Sequence, residues 1–336
     1  AMVDSEDTDA ETPEEIHQQQ MSETEDLLAA ALNLDVHEAF LDVHYRSQNE
    51  ALIGFSNEHF YQGRLQPIPG HPKNKSLTAP IHLVRVDGLY KDQTNPGEAA
   101  AIVDLVAELL AEKQPPSIGI ASFNLKQRTV ILERLEQRAE NDRAFADRLE
   151  IARQRRGRDS FEGLFVKNLE NVQGDERDHI IISTTFGKDE EGKFRRNFGA
   201  LSRLGGERRL NVLVTRARSA IHVFTSIPRG EYSGAALPGP GERVTGRHLL
   251  YAYLRYAEHL EEAFESYQDH LETLRGGGPA LSEVHPSSSP STMAMALGRA
   301  LAHGHKAANA VHWGNDGFCI DIAMIHPQLP EDVTIG

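Results

Sequence analysis

Hydrophobic residues follow two alternating patterns between residues 40 and 227. Short apolar runs typical of buried strands lie at residues 82–86, 117–123, 164–172, 179–186 and 221–227. The fourth run contains Ile180, Ile181 and Ile182, as expected for a strand that is covered on both faces. Apolar residues recur at helical spacing at residues 49–61, 95–110, 126–139 and 208–219. Strands separated by helices predict an α/β fold with a parallel sheet, right-handed crossovers and helices on both faces.

The pattern changes on both sides of this region and predicts four parts. Residues 1–38 are acidic and polar, with a helix expected to begin near Ser22, and form a tail or the end of a preceding domain. Residues 39–268 form the main domain, which a helix at residues 245–264 closes. Residues 269–291 are rich in Gly, Ser and Pro and predict a flexible linker. Residues 292–336 predict a small α/β unit with one helix and one strand.

Charge is distributed unevenly along the 336 residues. The formal net charge is −15, which taken alone disfavours nucleic-acid binding. Residues 193–218 nevertheless carry eight Lys and Arg side chains and one acid, Glu207. A local basic surface of this kind binds phosphate even on an acidic protein.

Cysteine content and hydropathy indicate a compartment. Cys319 is the only cysteine, so the chain cannot form an internal disulfide, and a reducing environment is expected. No apolar run approaches the roughly 20 residues that span a bilayer, and the acidic start lacks signal-peptide character. We therefore expect a cytoplasmic protein that does not associate with a membrane.

Four segments carry candidate chemistry. A Tyr-Arg pair lies at residues 45–46, Ser-Phe-Asn-Leu-Lys-Gln at residues 122–127, Asn-Leu-Glu-Asn-Val-Gln-Gly-Asp-Glu at residues 168–176, and Arg-Arg-Leu-Asn-Val-Leu-Val-Thr-Arg-Ala-Arg at residues 208–218. Guanidinium groups are suited to phosphoryl groups because they donate two parallel hydrogen bonds. Gly174 permits a tight turn after a strand. On a continuous helix, Arg209 and Arg216 would share one polar face, seven residues apart.

These segments resemble the conserved motifs of superfamily 1 nucleic-acid helicases, of the 1B type. Residues 168–178 resemble motif V, and residues 207–218 resemble motif VI. The Tyr-Arg pair resembles the element that opens the second RecA-like domain of these enzymes. Residues 122–127 occupy the place of a Thr-Pro-Tyr-x-x-Gln element, with Phe123 and Asn124 in place of Pro and Tyr. The resemblance implies a RecA-like fold for most of the chain.

The resemblance also implies a nucleotide site. Arg216 is expected to be the arginine finger, and Arg46 is expected to reach the γ-phosphate of ATP, which is bound with Mg²⁺. Tyr45 would lie near the base, and Glu176 would accept hydrogen bonds from the ribose. Gln173 and Gly174 complete the expected nucleotide-binding set, and Arg218 is expected to be a supporting salt-bridge partner.

A second set is expected to contact nucleic acid. Ser122 and Asn124 follow a buried strand, where a helix N-terminus favours a phosphate group. Asn168 takes the place of a small polar residue that lies against the backbone of a single strand. Asn211 and Thr215 are expected to orient Arg216 or to lie at the interface with nucleic acid or the neighbouring domain. Single-stranded DNA or RNA is the expected partner.

The sequence contains no Gly-x-x-x-x-Gly-Lys-[Ser/Thr] phosphate loop and no Asp-Glu pair after a buried strand. The Gly-Lys at residues 187–188 lacks that spacing and predicts a surface turn. The first hypothesis is therefore part of an ATP-dependent helicase or translocase, inactive alone, whose partner is an N-terminal helicase domain in the same or a separate polypeptide. A stand-alone nucleic-acid-binding or regulatory module is the second hypothesis.

Residues 312–322 suggest a third hypothesis. This segment resembles the beginning of nucleases related to very-short-patch-repair enzymes, of the PD-(D/E)XK class, and Asp321 matches their first acid. A lone carboxylate does not assemble a metal site, so no metal-binding set is expected here. A nuclease-associated subunit that residues outside this chain complete stays open as an alternative.

Overall fold

The computed structural model describes residues 39–67, 79–157, 160–203, 205–239, 242–275, 292–304, 309–315, 318–325 and 333–335. The chain divides into two compact units, Ala1–Asp42 and Val43–Gly336. Most of the first unit, including the helix expected near Ser22, lies outside the described residues, as do residues 276–291 of the expected linker. No helix in the described part of the chain is long and apolar enough to cross a membrane.

Helices and strands alternate through the main part of the second unit. In chain order they are β1 (Val43–His44), α1 (Ala51–Phe60), β2 (Gln66–Pro67), β3 (Ile81–Arg85), α2 (Pro96–Leu110), β4 (Ile118–Ser122), α3 (Leu125–Asn141), α4 (Arg143–Arg153), β5 (Phe165–Asn168), β6 (Arg177–Ser183), α5 (Gly206–Val214), β7 (Ala217–Thr225), α6 (Arg229–Tyr232) and α7 (Gly246–Arg275). The element order confirms the predicted alternation. Helix α4 was not predicted.

Five of these strands form the central sheet, in the order β3-β7-β6-β4-β5, and every neighbouring pair is parallel. Strands β1 and β2 form a separate parallel pair. The parallel sheet with flanking helices confirms the predicted RecA-like α/β fold.

Two hydrophobic cores cover the two faces of the sheet. On one face, α1, α5 and α7 pack against Ile180 and Ile182 of β6. On the other face, α2, α3 and α4 pack against Ile181. Successive side chains of a strand point to opposite faces, so the isoleucine triplet serves both cores, as its sequence predicts.

Side-chain caps fix the starts of three helices on the second face. The side chain of Asn95 accepts a hydrogen bond from the N–H of Glu98, with Pro96 in the first turn, as predicted for α2. Asn124 accepts from the N–H of Gln127 at the start of α3. Asp142 caps α4 in the same way by accepting from the N–H of Phe145, and this one residue separates the end of α3 from the start of α4.

Two helix boundaries differ from the prediction. Helix α5 ends at Val214, not at residue 219, and Arg216 and Arg218 therefore do not lie on it. Residues 217–224 pair with β6, and the Thr215 hydroxyl closes the last helical turn by donating to the carbonyls of Asn211 and Val212. Helix α7 continues to Arg275, so residues 269–275 are helical although they were assigned to the linker.

The C-terminal part contains helix α8 (Thr292–Gly304) and the strands β8 (Asn309–Asn315), β9 (Phe318–Ile325) and β10 (Val333–Ile335). They form an antiparallel sheet in the order β10-β9-β8. The helix and the strand at residues 318–325 were predicted, whereas β8 was not. Asp321 lies on β9, and its relation to a nuclease stays a prediction.

Candidate functional site

The predicted site residues lie at two opposite edges of the parallel sheet. Glu176 directly precedes β6, and Arg216 directly precedes β7, so both lie where strands begin. Ser122 and Asn168 end β4 and β5 and are paired in register, so they lie where strands end. We call these two places the amino edge and the carboxyl edge.

Arg46 and Glu176 form an ion pair at the amino edge. The Nε of Arg46 donates to Oε2 of Glu176 at 2.5 Å, and its Nη1 donates to the carbonyl of Thr215 at 3.3 Å. Both side chains are partly exposed, at 28% and 42%. The fold therefore brings together three predicted residues that are distant in the sequence, and it leaves their charged groups accessible.

Arg216 lies beside this pair. Its Nε donates to the carbonyl of Val212 at 2.7 Å, which holds the start of the guanidinium against the end of α5. Burial lowers the pKa of Arg216, and the positive charge of Arg46 lowers it further, while Glu176 acts in the opposite direction. Two guanidinium groups thus lie close together near one carboxylate, and that carboxylate is bonded to Arg46.

Asn211 and Thr215 support α5, and neither side chain has a hydrogen bond to Arg216. Asn211 Nδ2 donates to the hydroxyl of Tyr61 at 3.2 Å, and Thr215 closes the helix as described above. The orientation of Arg216 comes from the Val212 carbonyl instead. Since the helix ends at Val214, the expected common face of Arg209 and Arg216 is also wrong. A contact of Asn211 or Thr215 with nucleic acid stays a prediction.

The remaining nucleotide-binding candidates lie on exposed turns. Tyr45 is 80% exposed next to Arg46, so its ring is free to stack on a ligand. Gly174 has a φ of +88°, a left-handed conformation that favours glycine, as its predicted turn requires. Gln173 is exposed and lines a cavity of about 410 Å³, together with Arg208 and Arg209 of α5.

At the carboxyl edge, Ser122 and Asn124 have local structural roles. The Ser122 hydroxyl is buried and donates to the carbonyl of Asn124 at 2.8 Å, and the Asn124 side chain caps α3. Asn168 is 5% exposed, and its Oδ1 accepts no hydrogen bond from a described residue. Asn168 therefore retains acceptor capacity, and contacts of all three with nucleic acid stay predictions.

Arg218 is a salt-bridge partner, as expected. Its Nη2 lies 2.8 Å from Oε1 of Glu162, and its Nε lies 3.0 Å from Oδ1 of Asp178. Asp178 in turn accepts from the N–H and hydroxyl of Ser117, and these bonds, with the charge of Arg218, hold its pKa below the usual value although burial acts to raise it. The cluster joins the beginnings of β4, β6 and β7 and gives Arg218 a role distinct from that of Arg216.

A buried polar network at the carboxyl edge was not anticipated. Glu98 is fully buried, and burial raises its pKa to about 7 despite hydrogen bonds from the Ser183 hydroxyl at 2.6 Å and the Thr185 N–H at 2.8 Å. Gln127 donates to Ser183 Oγ and to the Asn95 carbonyl, and accepts from the Asn95 N–H. Residues 98, 102, 106 and 109 follow the helical apolar period, a signal that could have placed Glu98 inside.

No group of three or more His, Cys, Asp or Glu side chains in the described ranges could hold a metal ion.

The turn predicted at residues 187–188 is present, since Lys188 pairs with Phe194 across a short bridge and Gly192 donates to the carbonyl of Asp189.

Comparison with known proteins identifies a family and helicase-named relatives. The model of a family described as AAA domain matches residues 20–227, more than half of the chain. A protein named as an uncharacterized ATP-dependent helicase of Mycoplasma genitalium is 34% identical over 213 residues, 63% of this chain. Its homolog in Mycoplasma pneumoniae is 33% identical over 215 residues. In each case the match spans only 18% of the relative's own length.

Proposed function

The chain belongs to the AAA domain family whose model covers residues 20–227, and on this premise we propose that it is the arginine-donating second domain of an ATP-dependent helicase or translocase. The family and the helicase-named relatives support a superfamily 1-type helicase domain. The 1B subtype, the roles of individual residues and the need for a first RecA-like domain are parts of the proposal. That domain would belong to the same or a separate polypeptide.

The charge balance at the amino edge is the observation that carries this proposal. Arg46 and Arg216 lie close enough for their charges to interact. Of the acidic groups acting on Arg216, Glu176 has the largest effect, and it is already bonded to Arg46. Nearby Asp175 is paired with Lys167 at 2.5 Å. An anionic group would relieve this local excess of positive charge, and guanidinium groups bind phosphoryl oxygens with paired hydrogen bonds, as the transfer of a γ-phosphate requires.

ATP with Mg²⁺ would supply the phosphoryl group that is transferred to water. Arg216 would stabilise negative charge on the γ-phosphate, and Arg46 would bind the same group from the other side after releasing Glu176. The freed carboxylate of Glu176 would then accept hydrogen bonds from the ribose, and the exposed ring of Tyr45 would lie against the base. Mg²⁺ ligands would come from the first RecA-like domain.

Nucleic acid would lie at the opposite, carboxyl edge. There Asn168 has an unsatisfied acceptor, and the N-terminus of α3 follows Ser122. With ATP at one edge and nucleic acid at the other, the sheet would transmit movement between the two sites. Closure of the two domains around ATP would reorient this whole domain, including the edge that binds nucleic acid, relative to its neighbour. Binding of a single strand through its backbone is largely independent of the nucleotide sequence.

An ATPase assay on this chain with single-stranded DNA or RNA tests the proposal. The chain alone should show no turnover, and adding a first RecA-like domain that contains a phosphate loop should produce nucleic-acid-stimulated turnover. Turnover by the chain alone would contradict the proposed division of the site. Strand binding with no turnover in any such combination would favour the stand-alone binding module instead.

A further inference from the structure

A second basic cavity lies away from the proposed nucleotide site. It has a volume of about 500 Å³, and three arginines line it: Arg196, Arg203 and Arg247. We propose that this cavity binds the phosphate groups of a single-stranded nucleic-acid backbone. The choice of a strand as the ligand rests on the proposed function.

Two of the three arginines have no acidic partner among the residues that the structure describes. Arg196 is held by Glu231 through two hydrogen bonds, with Nε at 2.6 Å and Nη2 at 3.2 Å from the carboxylate oxygens. The guanidinium groups of Arg203 and Arg247 form no hydrogen bond or ion pair with any residue in the described ranges. No lining residue is acidic. The cavity therefore has an excess of two positive charges, which a phosphodiester backbone would neutralise.

Polar side chains between the arginines supply further donors. The Ser202 oxygen accepts from the N–H of Phe198, so its own O–H remains available to donate. Asn197 Oδ1 accepts from the Gly199 N–H, which leaves the amide N–H₂ of Asn197 without a partner among the described residues. Thr245 also lines the cavity, but its hydroxyl lies 3.1 Å from Nδ1 of His248 and is engaged there. The Ser202 hydroxyl, the Asn197 amide and the guanidinium groups are therefore the donors offered to phosphate oxygens.

The walls of the cavity are held in place by close backbone packing. A Cβ on Gly206 would lie 2.1 Å from the Leu201 carbonyl oxygen, and one on Gly246 would lie 2.4 Å from the same atom. The beginnings of α5 and α7 therefore meet on the Leu201 main chain with no space for a side chain. Phe198 and Leu201 are themselves fully buried below. This packing fixes the segments that carry Arg203 and Arg247.

The cavity lies on the side of the sheet where we place nucleic acid. Residues 196–203 belong to the connection between the end of β6 and the start of α5, and α5 then leads back to the start of β7. This connection is therefore at the carboxyl edge, with Ser122 and Asn168. Arg46 and Arg216 are at the amino edge, so the cavity is separate from the proposed ATP site.

The salt dependence of strand binding tests this inference. Fluorescence anisotropy of a labelled oligothymidylate would be measured with the full chain over a series of KCl concentrations. For single strands, each neutralised phosphate contributes about 0.7 to the slope of log K against log salt. We expect Arg203→Gln/Arg247→Gln to reduce the magnitude of that slope by about 1.4, with thermal unfolding unchanged.

Arg134→Gln/Arg148→Gln is the matched control, because it removes the same charge from exposed positions on α3 and α4. It should leave the slope unchanged. Equal slopes for the cavity variant and the unmodified chain would overturn the inference and leave the proposed function intact. The unmodified chain could instead show no turnover with the first RecA-like domain while its strand binding depends on Arg203 and Arg247. That result would overturn only the proposed function.

A competition experiment distinguishes the strand from free phosphate. Inorganic phosphate would be added at constant ionic strength to the bound oligonucleotide. We expect phosphate to displace the oligonucleotide more readily from the unmodified chain than from Arg203→Gln/Arg247→Gln, because both ligands would compete for the same two arginines. If phosphate raises the unfolding temperature of the unmodified chain but not of this variant, and the oligonucleotide stays bound, the cavity holds the free anion and the assignment to a strand is overturned.

Discussion

The two edges of the sheet contain polar groups in opposite physical states. At the amino edge, Arg46 and Glu176 are partly exposed, and they are joined to each other by one short ion pair. At the carboxyl edge, Glu98 and Gln127 are fully buried and have several hydrogen-bond partners. Exposed ion pairs contribute little to stability and rearrange easily, whereas a buried satisfied network is costly to disturb. The comparison indicates that the polar groups of the amino edge can exchange hydrogen-bond partners, whereas those of the carboxyl edge form a rigid network.

Arg216→Ala is expected to have the largest effect. An arginine finger contributes about 10³–10⁵ to kcat, and we expect a loss in that range when this chain is assayed with the first RecA-like domain. Thermal unfolding of the chain should change little, because among the described residues the side chain of Arg216 loses a single hydrogen bond, to the Val212 carbonyl. Arg148→Ala on α4 is the control. Turnover within tenfold of the unmodified chain would remove Arg216 from the site.

Glu98→Gln tests the buried frame through pH. Because the pKa of Glu98 is raised from 4.5 to about 7 in the folded state, its ionisation destabilises the fold. Below pH 4.5 the carboxyl is protonated in both the folded and the unfolded states, so Glu98 does not destabilise the fold. The unfolding free energy decreases as pH rises from 4.5 to about 7, and the decrease is complete above about pH 7. That shift corresponds to about 3 kcal/mol, which Glu98→Gln should abolish.

Chemical denaturation of both proteins between pH 4.5 and 8 would measure this difference. The unfolding free energy of Glu98→Gln relative to the unmodified chain should rise with pH across that range. Glu108→Gln, an exposed change on the same helix, should show no such trend. A constant difference between Glu98→Gln and the unmodified chain would contradict the buried, hard-to-ionise state of Glu98.

Asn124→Ala separates a structural role from a binding role at the carboxyl edge. Loss of an N-cap costs about 1 kcal/mol, and we expect a decrease of that size in the unfolding free energy. Asp142→Ala removes the equivalent cap of α4 and is the matched control. If Asn124 contacts nucleic acid, only Asn124→Ala will also weaken strand binding. Equal affinities for the two variants would restrict Asn124 to capping.

Glu176→Gln should have the smallest effect on stability. The Arg46–Glu176 pair is partly exposed, so we expect a change below about 1 kcal/mol in the unfolding free energy. Affinity of the two-domain assembly for ATP should nevertheless fall, since the amide loses a charged acceptor for the ribose. A destabilisation of about 3 kcal/mol, the size of the effect expected at Glu98, would show that the Arg46–Glu176 pair is a structural element.

The sequence predicted the layered fold because its signals are local and repeated. Strand periodicity, the isoleucine triplet and the Asn95 cap each determine structure within a few residues. The helix at residues 206–214 was predicted too long, because Arg216 and Arg218 continue its polar pattern while parallel pairing with β6 takes over at residue 217. Competition between helix and strand at that point depends on β6, which is distant in the sequence.

In the candidate site too, the sequence predicted what local motifs determine and missed what depends on distant parts of the chain. The motifs identified Arg46, Glu176 and Arg216, and the fold brings all three to one edge. Their detailed partners were not predictable, since the Val212 and Thr215 carbonyls are main-chain groups that every sequence contains. The arginine-lined cavity was also missed, because Arg203 and Arg247 are far apart in the chain and only the packing at Leu201 brings their segments together.

Affinity for a mimic of the phosphoryl transition state shows whether Arg216 is an arginine finger, because such a mimic resembles the charge that the finger stabilises. The two-domain assembly would be titrated with ADP alone and with ADP and aluminium fluoride, using the unmodified chain, Arg216→Ala and the Arg148→Ala control. We expect the unmodified chain and the control to bind the mimic far more tightly than ADP, and Arg216→Ala to lose this preference while it keeps its affinity for ADP. An unchanged preference in Arg216→Ala would contradict the claim that this chain supplies the arginine finger.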